Sequence, residues 1–258
     1  LDGTVYRGNQ VISGVPEAIE QLRKRGIKIF FLSNASMKTR MQQAEKLQNM
    51  GIACTIKEMY NSAYATASYI AYHHPKATVH VVSEGGLQNE LEAFCRRSAQ
   101  SRTGLKVVTS ENADIVAIGM DTKITFEKLI TPLRAIINGA VFIASNVDRI
   151  YPTEKGILPG SGTIAAFLEY GSGKKPIVIG KPESPIIEAV LKDNNLKRSE
   201  VLIVGDGLET DLKVAKRMKM KCALVLTGLA KMSDVKKLKK NDKPDFVLES
   251  VVELPKVL

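Results

Sequence analysis

Cysteine is scarce in this chain, and long apolar runs are missing from it. The three cysteines, Cys54, Cys95 and Cys222, lie far apart, form no Cys-x-x-Cys pair and build no ligand cluster. That set excludes a disulfide framework and a thiolate metal site, and it fits a reducing, cytosolic (cytoplasmic) compartment. No apolar run approaches the ~18 residues that a membrane-spanning helix needs. No basic segment leading into an apolar stretch opens the chain, so no signal peptide is expected. A starting Met is also lacking: the sequence opens on Leu1-Asp2-Gly3-Thr4, and residues upstream are expected to be missing. There is no low-complexity tract and no internal repeat of fixed period.

What is present is an ordinary globular composition. The 258 residues are 44% hydrophobic and 25% charged, enough for one large domain or two modest ones with a real core. The net charge is +10. A basic chain can bind nucleic acid or acidic lipid, or can steer small anionic substrates toward a cleft. The densest basic run, Lys236, Lys237, Lys239 and Lys240, has no aromatic residues interleaved with it. It reads as a solvated helix face rather than a base-stacking surface. The expected partner is therefore a small anion, with no nucleic acid and no membrane.

Short β-rich runs alternate with helical stretches along the chain. A helix over 15–25 has Pro16 in its first turn and Gly26 just past its end. A buried strand over 27–32 and a helix over 37–50 follow. Near the C-terminus come a strand at 177–179, a helix at 184–192, a strand at 201–204, a helix at 209–218, and strands at 222–226 and 246–248. The middle, about 60–146, repeats the alternation: helices at 60–74, 84–97 and 125–138, and strands at 77–82, 114–118 and 141–144. This pattern indicates βαβ units and a parallel sheet with helices on both faces, a Rossmann-like core, with a second α/β module inserted into it.

Four places end a β-rich run with small, polar or acidic residues. They are Leu1-Asp2-Gly3-Thr4, Ser33-Asn34, Gly180-Lys181-Pro182, and Gly205-Asp206-Gly207-Leu208-Glu209-Thr210-Asp211. Ligands of open α/β sheets bind at the carboxyl ends of the strands. Each feature alone has an ordinary reading. Asp-Gly is a common turn, Asp206 and Asp211 could complement a helix dipole, Ser33 could be an N-cap, and Lys181 could be a surface charge. Together they supply carboxylates for a hard cation, a hydroxyl with backbone N–H groups, and a lysine. That is the equipment for holding a phosphoryl group beside Mg²⁺. The stretch Gly160-Ser161-Gly162-Thr163 lacks the spacing of a phosphate-binding P-loop, no strand run leads directly into it, and it reads as a tight entry to a helix over 163–170.

In their order and spacing these four segments resemble the haloacid dehalogenase-like phosphohydrolases. That family's motifs are Asp-x-Asp-Gly-Thr, a Ser or Thr after a strand, a lysine, and Gly-Asp-x-x-x-Thr-Asp. The insertion between the second and third motifs, with Asn146-Val147-Asp148 and Pro159-Gly160-Ser161-Gly162, resembles the type IIA capped branch of NagD-like and p-nitrophenylphosphatase-like proteins. That branch usually has Asn-Pro-Asp where this chain has Val147. The resemblance implies a core at 1–58 and 149–258 and an α/β cap at 59–148.

The resemblance also implies a Mg²⁺-dependent phosphatase that hydrolyses small phosphomonoesters through an aspartyl-phosphate. The nucleophilic Asp is expected immediately before Leu1, at the end of a first strand that is likewise absent from the sequence. Asp2 is implied as general acid and base, with its backbone carbonyl on the metal. Ser33 and the N–H of Asn34 are implied on the phosphoryl oxygens, and Lys181 as its neutralising cation. Asp206 is implied as metal ligand, with Asp211 acting through water. Asn146 and Asp148, where the cap rejoins the core, are expected either on the substrate or in a structural turn. Relatives of this branch imply a homodimer paired through the cap. Two other readings stay open: a phosphotransferase of the same superfamily, and a catalytically inactive phosphate-metabolite-binding protein.

Overall fold

A computed structural model of the chain describes residues 1–101, 104–153 and 156–258. The chain divides into two compact units. One comprises Leu1–Leu32, Ala44–Met59 and Val190–Leu258, and the other Ser33–Gln43 and Tyr60–Ala189. The architecture is α/β, with parallel sheets and interleaved helices.

The first unit is built on a parallel sheet of Leu202–Gly205, Lys221–Val225 and Phe246–Leu248, in that order. Its core gathers Val15, Ile19 and Leu22 from the helix Val15–Lys24, together with Phe31, Leu47, Ile52, Met59, Ala223 and Val225. The spacing of Val15, Ala18, Ile19 and Leu22 puts one apolar stripe on that helix, and all four are buried. Two residue pairs, Tyr6–Arg7 and Gln10–Val11, form a small antiparallel hairpin directly after the Asp2-Gly3-Thr4 turn.

The second unit carries a five-stranded, all-parallel sheet. Its order is Ile177–Val178, Val141–Ala144, Ile115–Ile118, Thr78–Val82, Lys106–Val107. The central strand Ile115–Ile118 is buried at every residue, as a strand covered on both faces should be. Helices Phe126–Ile137 and Ser161–Ser172 pack Leu129, Ala135, Ile136, Ile164, Ala165 and Leu168 onto it.

The expected elements are present, and the structure departs from the expectation in detail, most clearly at four places. The strand expected at 27–32 is laddered only over Phe31–Ser33, because its paired neighbour, Met59–Asn61, is three residues long. The helix expected from 37 begins at Arg40. There Thr39 and Gln42 form a reciprocal cap: Thr39 N–H donates to Gln42 Oε1 at 2.9 Å, and Gln42 N–H donates to Thr39 Oγ1 at 3.3 Å.

The third difference is an antiparallel hairpin, Ile150–Thr153 with Gly156–Pro159, which the sequence pattern did not reveal. It runs straight into the helix Ser161–Ser172, so a strand does lead into Gly160-Ser161-Gly162. Finally, the helix expected at 209–218 opens with a π-helical turn, Leu208–Leu212, before the α-helix Lys213–Arg217.

Among the described residues no helix is long and apolar enough to cross a membrane. None of the three cysteines is in a disulfide, and Cys54 and Cys222 are buried. Burial pushes both thiols up to about 12, helped by the Glu58 charge at Cys54 and by Asp211 and Asp245 at Cys222. At pH 8 neither is a thiolate, and the thiolate is the reactive form. A thiolate-directed reagent at pH 8 should therefore reach partly exposed Cys95 first, and Cys54 and Cys222 only after unfolding. Prompt labelling of all three in native protein would contradict this.

Candidate active site

The acidic cluster forms within the first unit. Asp206 follows the strand Leu202–Gly205 directly, and it is only 6% exposed. Its Oδ1 accepts a hydrogen bond from Thr4 Oγ1 at 2.9 Å, and its Oδ2 accepts one from Leu229 N–H at 3.0 Å. Its backbone carbonyl takes Ala230 N–H at 3.0 Å. These donors are neutral, and no Lys or Arg pairs with Asp206 among the described residues.

Two glycines make that packing possible. Gly3 has φ +75°, and a Cβ there would lie 2.8 Å from Asp206 Cγ. A Cβ on Gly228 would overlap Asp206 Oδ2 outright. Thr227 Oγ1 ties the two segments by donating to the Gly3 carbonyl at 2.6 Å. Asp2 itself is exposed, and its Oδ1 accepts Gly8 N–H at 3.4 Å.

Asp211 lies on the π-helical turn. Leu212 N–H reaches back to the Gly207 carbonyl at 3.0 Å, five residues away. The wider turn folds Asp211 over the loop it follows, a local geometry often found at functional sites. Its Oδ2 accepts Gly207 N–H at 3.1 Å and Thr210 Oγ1 at 3.2 Å. Gly205 admits this, since a Cβ there would lie 2.5 Å from Asp211 Oδ2.

The second cluster forms within the second unit around Asn34. Ser33 ends its strand, and its Oγ accepts Ala35 N–H at 3.1 Å. The Asn34 side chain meets the Lys181 backbone at both polar atoms and also donates to Asp148 Oδ1 at 3.2 Å. Asn146 is buried, and its amide donates to the Asn34 carbonyl at 2.7 Å. Lys181 is buried beside it, ahead of a cis peptide to Pro182. Ser33, Asn34, Asn146, Asp148 and Lys181 thus share one unit, and Asp2, Asp206 and Asp211 share the other.

Sequence reading missed Thr4, Thr227, Gly228 and Leu229 around Asp206, and Ser62 and Ser161 around Asn34. One signal was available: Thr227-Gly228 follows the strand Lys221–Val225, the same strand-end position that singled out the other segments. Ser62 had none, because its hydroxyl acts on Asn34, far away in sequence, and Ser161, in the Gly160-Ser161-Gly162 stretch, reads as a helix entry with no sign of Asn146 as its partner.

Comparison with known proteins bears on the chemistry. The family pattern described as haloacid dehalogenase-like hydrolase matches residues 1–94, and a HAD-hydrolase-like pattern matches residues 178–254. The chain is 36% identical over 253 residues to the 5'-nucleotidase YutF of Bacillus subtilis, covering 98% of this chain and 94% of that protein. It is 36% identical over 258 residues to the acid sugar phosphatase of Staphylococcus saprophyticus, covering 100% and 95%.

Among solved structures, the p-nitrophenyl phosphatase from Archaeoglobus fulgidus superposes with a TM-score of 0.90 at 32% identity, over 100% of this chain and 96% of that one. A glycerol phosphate phosphatase from Mycobacterium tuberculosis in complex with magnesium gives a TM-score of 0.88 at 29% identity, over 100% and 76%.

The glycine requirement is testable. Gly3→Ala places a side chain at positive φ and against the Asp206 carboxylate, so it should lower unfolding free energy by about 1–3 kcal/mol in urea titration. The same change at Gly8, whose added Cβ meets nothing within 4 Å, removes the steric part of that cost and should be milder.

Proposed function

The chain belongs to the haloacid dehalogenase-like hydrolases, and from that premise we propose that it is a magnesium-dependent phosphatase of small phosphomonoesters working through an aspartyl-phosphate. The observation that carries the reading is Asp206. A carboxylate this buried, hydrogen-bonded only by neutral donors and paired with no cationic side chain among the described residues, carries a desolvation cost that a bound cation offsets.

The donor set fits Mg²⁺. It consists of carboxylate and backbone oxygens, as a hard cation prefers. Among the described residues no three His, Cys, Asp or Glu side chains cluster as a complete cage. Mg²⁺ commonly keeps several waters and takes one or two carboxylates, so a complete cage is not required. The Asp206 carboxylate and the Asp2 backbone carbonyl would hold the ion, with Asp211 reaching it through water. When bound, the ion supplies charge neutralisation at the phosphoryl oxygens.

The protein groups have distinct tasks in this reading. The attacking carboxylate falls at the position before Leu1 in the Asp-x-Asp pattern. Asp2 protonates the leaving oxygen and later takes a proton from the hydrolytic water. Its exposure suits a group that must exchange protons. Ser33 and the N–H of Asn34 hold phosphoryl oxygens, and Lys181 neutralises charge that builds in the transition state. Residues 59–148, the cap of this reading, set the choice of leaving group.

Protein expressed from its complete gene should hydrolyse p-nitrophenyl phosphate with Mg²⁺ and stop when EDTA is added. Asp206→Ala should lower turnover by at least about 100-fold, the scale of removing a key electrostatic stabiliser. Undiminished, metal-dependent turnover in Asp206→Ala would remove the basis of the assignment.

A further inference from the structure

We propose that Asn34, Asn146 and Ser62 are positioning residues that act on the phosphoryl group through Lys181. The inference rests on the reading of Lys181 as the cation that meets the phosphoryl group, and it adds how that cation is aimed.

The contacts begin at the Lys181 backbone. Asn34 Oδ1 accepts Lys181 N–H at 2.9 Å, and Asn34 Nδ2 donates to the Lys181 carbonyl at 2.9 Å. A side-chain amide thus satisfies the donor and acceptor of one residue at once, as a neighbouring strand would. The pairing fixes the peptide groups on both sides of the Lys181 Cα, and with them the direction in which its side chain leaves the backbone. A lysine is a point charge on a flexible stem, so the root of the stem is where aim can be imposed. Gly180 permits the approach: a Cβ there would lie 2.8 Å from both Asn34 Oδ1 and the Ser145 carbonyl.

Asn34 is itself held by a second layer. Its carbonyl accepts Ser62 Oγ at 2.6 Å and Asn146 Nδ2 at 2.7 Å. Asn146 is 2% exposed. Its Oδ1 accepts Asp148 N–H at 3.1 Å and the Ser161 hydroxyl, so both polar atoms of this amide are engaged inside the protein. The amide that sequence position left open between substrate and a structural turn therefore works as a strut. Ser62, which shares the Asn34 carbonyl with Asn146, opens the helix Ser62–His73, and Ser161 opens the helix Ser161–Ser172. Two helix starts and two loops converge on one carbonyl and one amide. Buried networks of this kind are worth more together than singly, and a missing member leaves unpaired groups behind.

A double-mutant cycle separates aiming from simple support. The kcat/KM for p-nitrophenyl phosphate would be measured for Asn34→Ala, Asn146→Ala and Ser62→Ala, each in the native background and in Lys181→Ala, using protein from the complete gene. The expected loss in the native background is about 100-fold for Asn34→Ala and about 10-fold for Ser62→Ala. In the Lys181→Ala background each should cost less than about 3-fold, because the group being aimed is gone.

Ser62→Ala deletes one hydroxyl and carries the test where a larger change prevents folding. Penalties that multiply, equal with and without Lys181, overturn the relay while leaving the enzyme reading intact. A wild-type protein that turns over no phosphomonoester overturns the reading beneath it.

Discussion

A carboxylate that leaves water must be compensated, and the first unit is organised around that constraint at Asp206. Its two oxygens take a threonine hydroxyl and a backbone N–H. These help, but neutral donors do not balance a buried charge. The surrounding chain gives way to the carboxylate rather than the reverse. Gly3 and Gly228 carry no side chain where one would collide with it, and Thr227 fastens their two segments together. Asp211 solves a related problem differently, accepting the Gly207 N–H and the Thr210 hydroxyl that a π-helical turn brings within reach.

The second unit answers a complementary constraint. A lysine is useful to an anionic substrate only if it arrives at a fixed place. Here the fixing is done by amides, which have a donor and an acceptor at the end of a short side chain. Asn34 spends both on the backbone of Lys181 and has its own carbonyl held by Ser62 and Asn146. Ser62 and Asn146 therefore brace the loop that carries Asn34, and Ser33–Gln43 falls in the same compact unit as both.

Much of this was legible in the sequence, and the limits have physical causes. Strands at Val141–Ala144 and Phe246–Leu248 fall where their β-branched and aromatic runs place them. The strand-end segments carry the small and acidic residues that a phosphate site needs. The hairpin Ile150–Thr153 and Gly156–Pro159 was hidden because Pro152, Gly156 and Pro159 break its apolar alternation. The start of the helix at Arg40 depended on a side-chain cap rather than on periodicity. Thr4 was invisible as a partner of Asp206 because 202 residues separate them. Asn146 stood out as a residue, but whether its amide faced a ligand or the protein was a question only the folded contacts could answer.

The claim on which these arguments converge is that Asp206 is a cation seat. Calorimetric titration of Mg²⁺ into the substrate-free protein, and into Asp206→Asn, tests it without reference to turnover. Asparagine keeps the shape and an oxygen donor but removes the charge. Saturable Mg²⁺ binding in the native protein that is lost in Asp206→Asn is the expected result. Equal binding by the two proteins would contradict it.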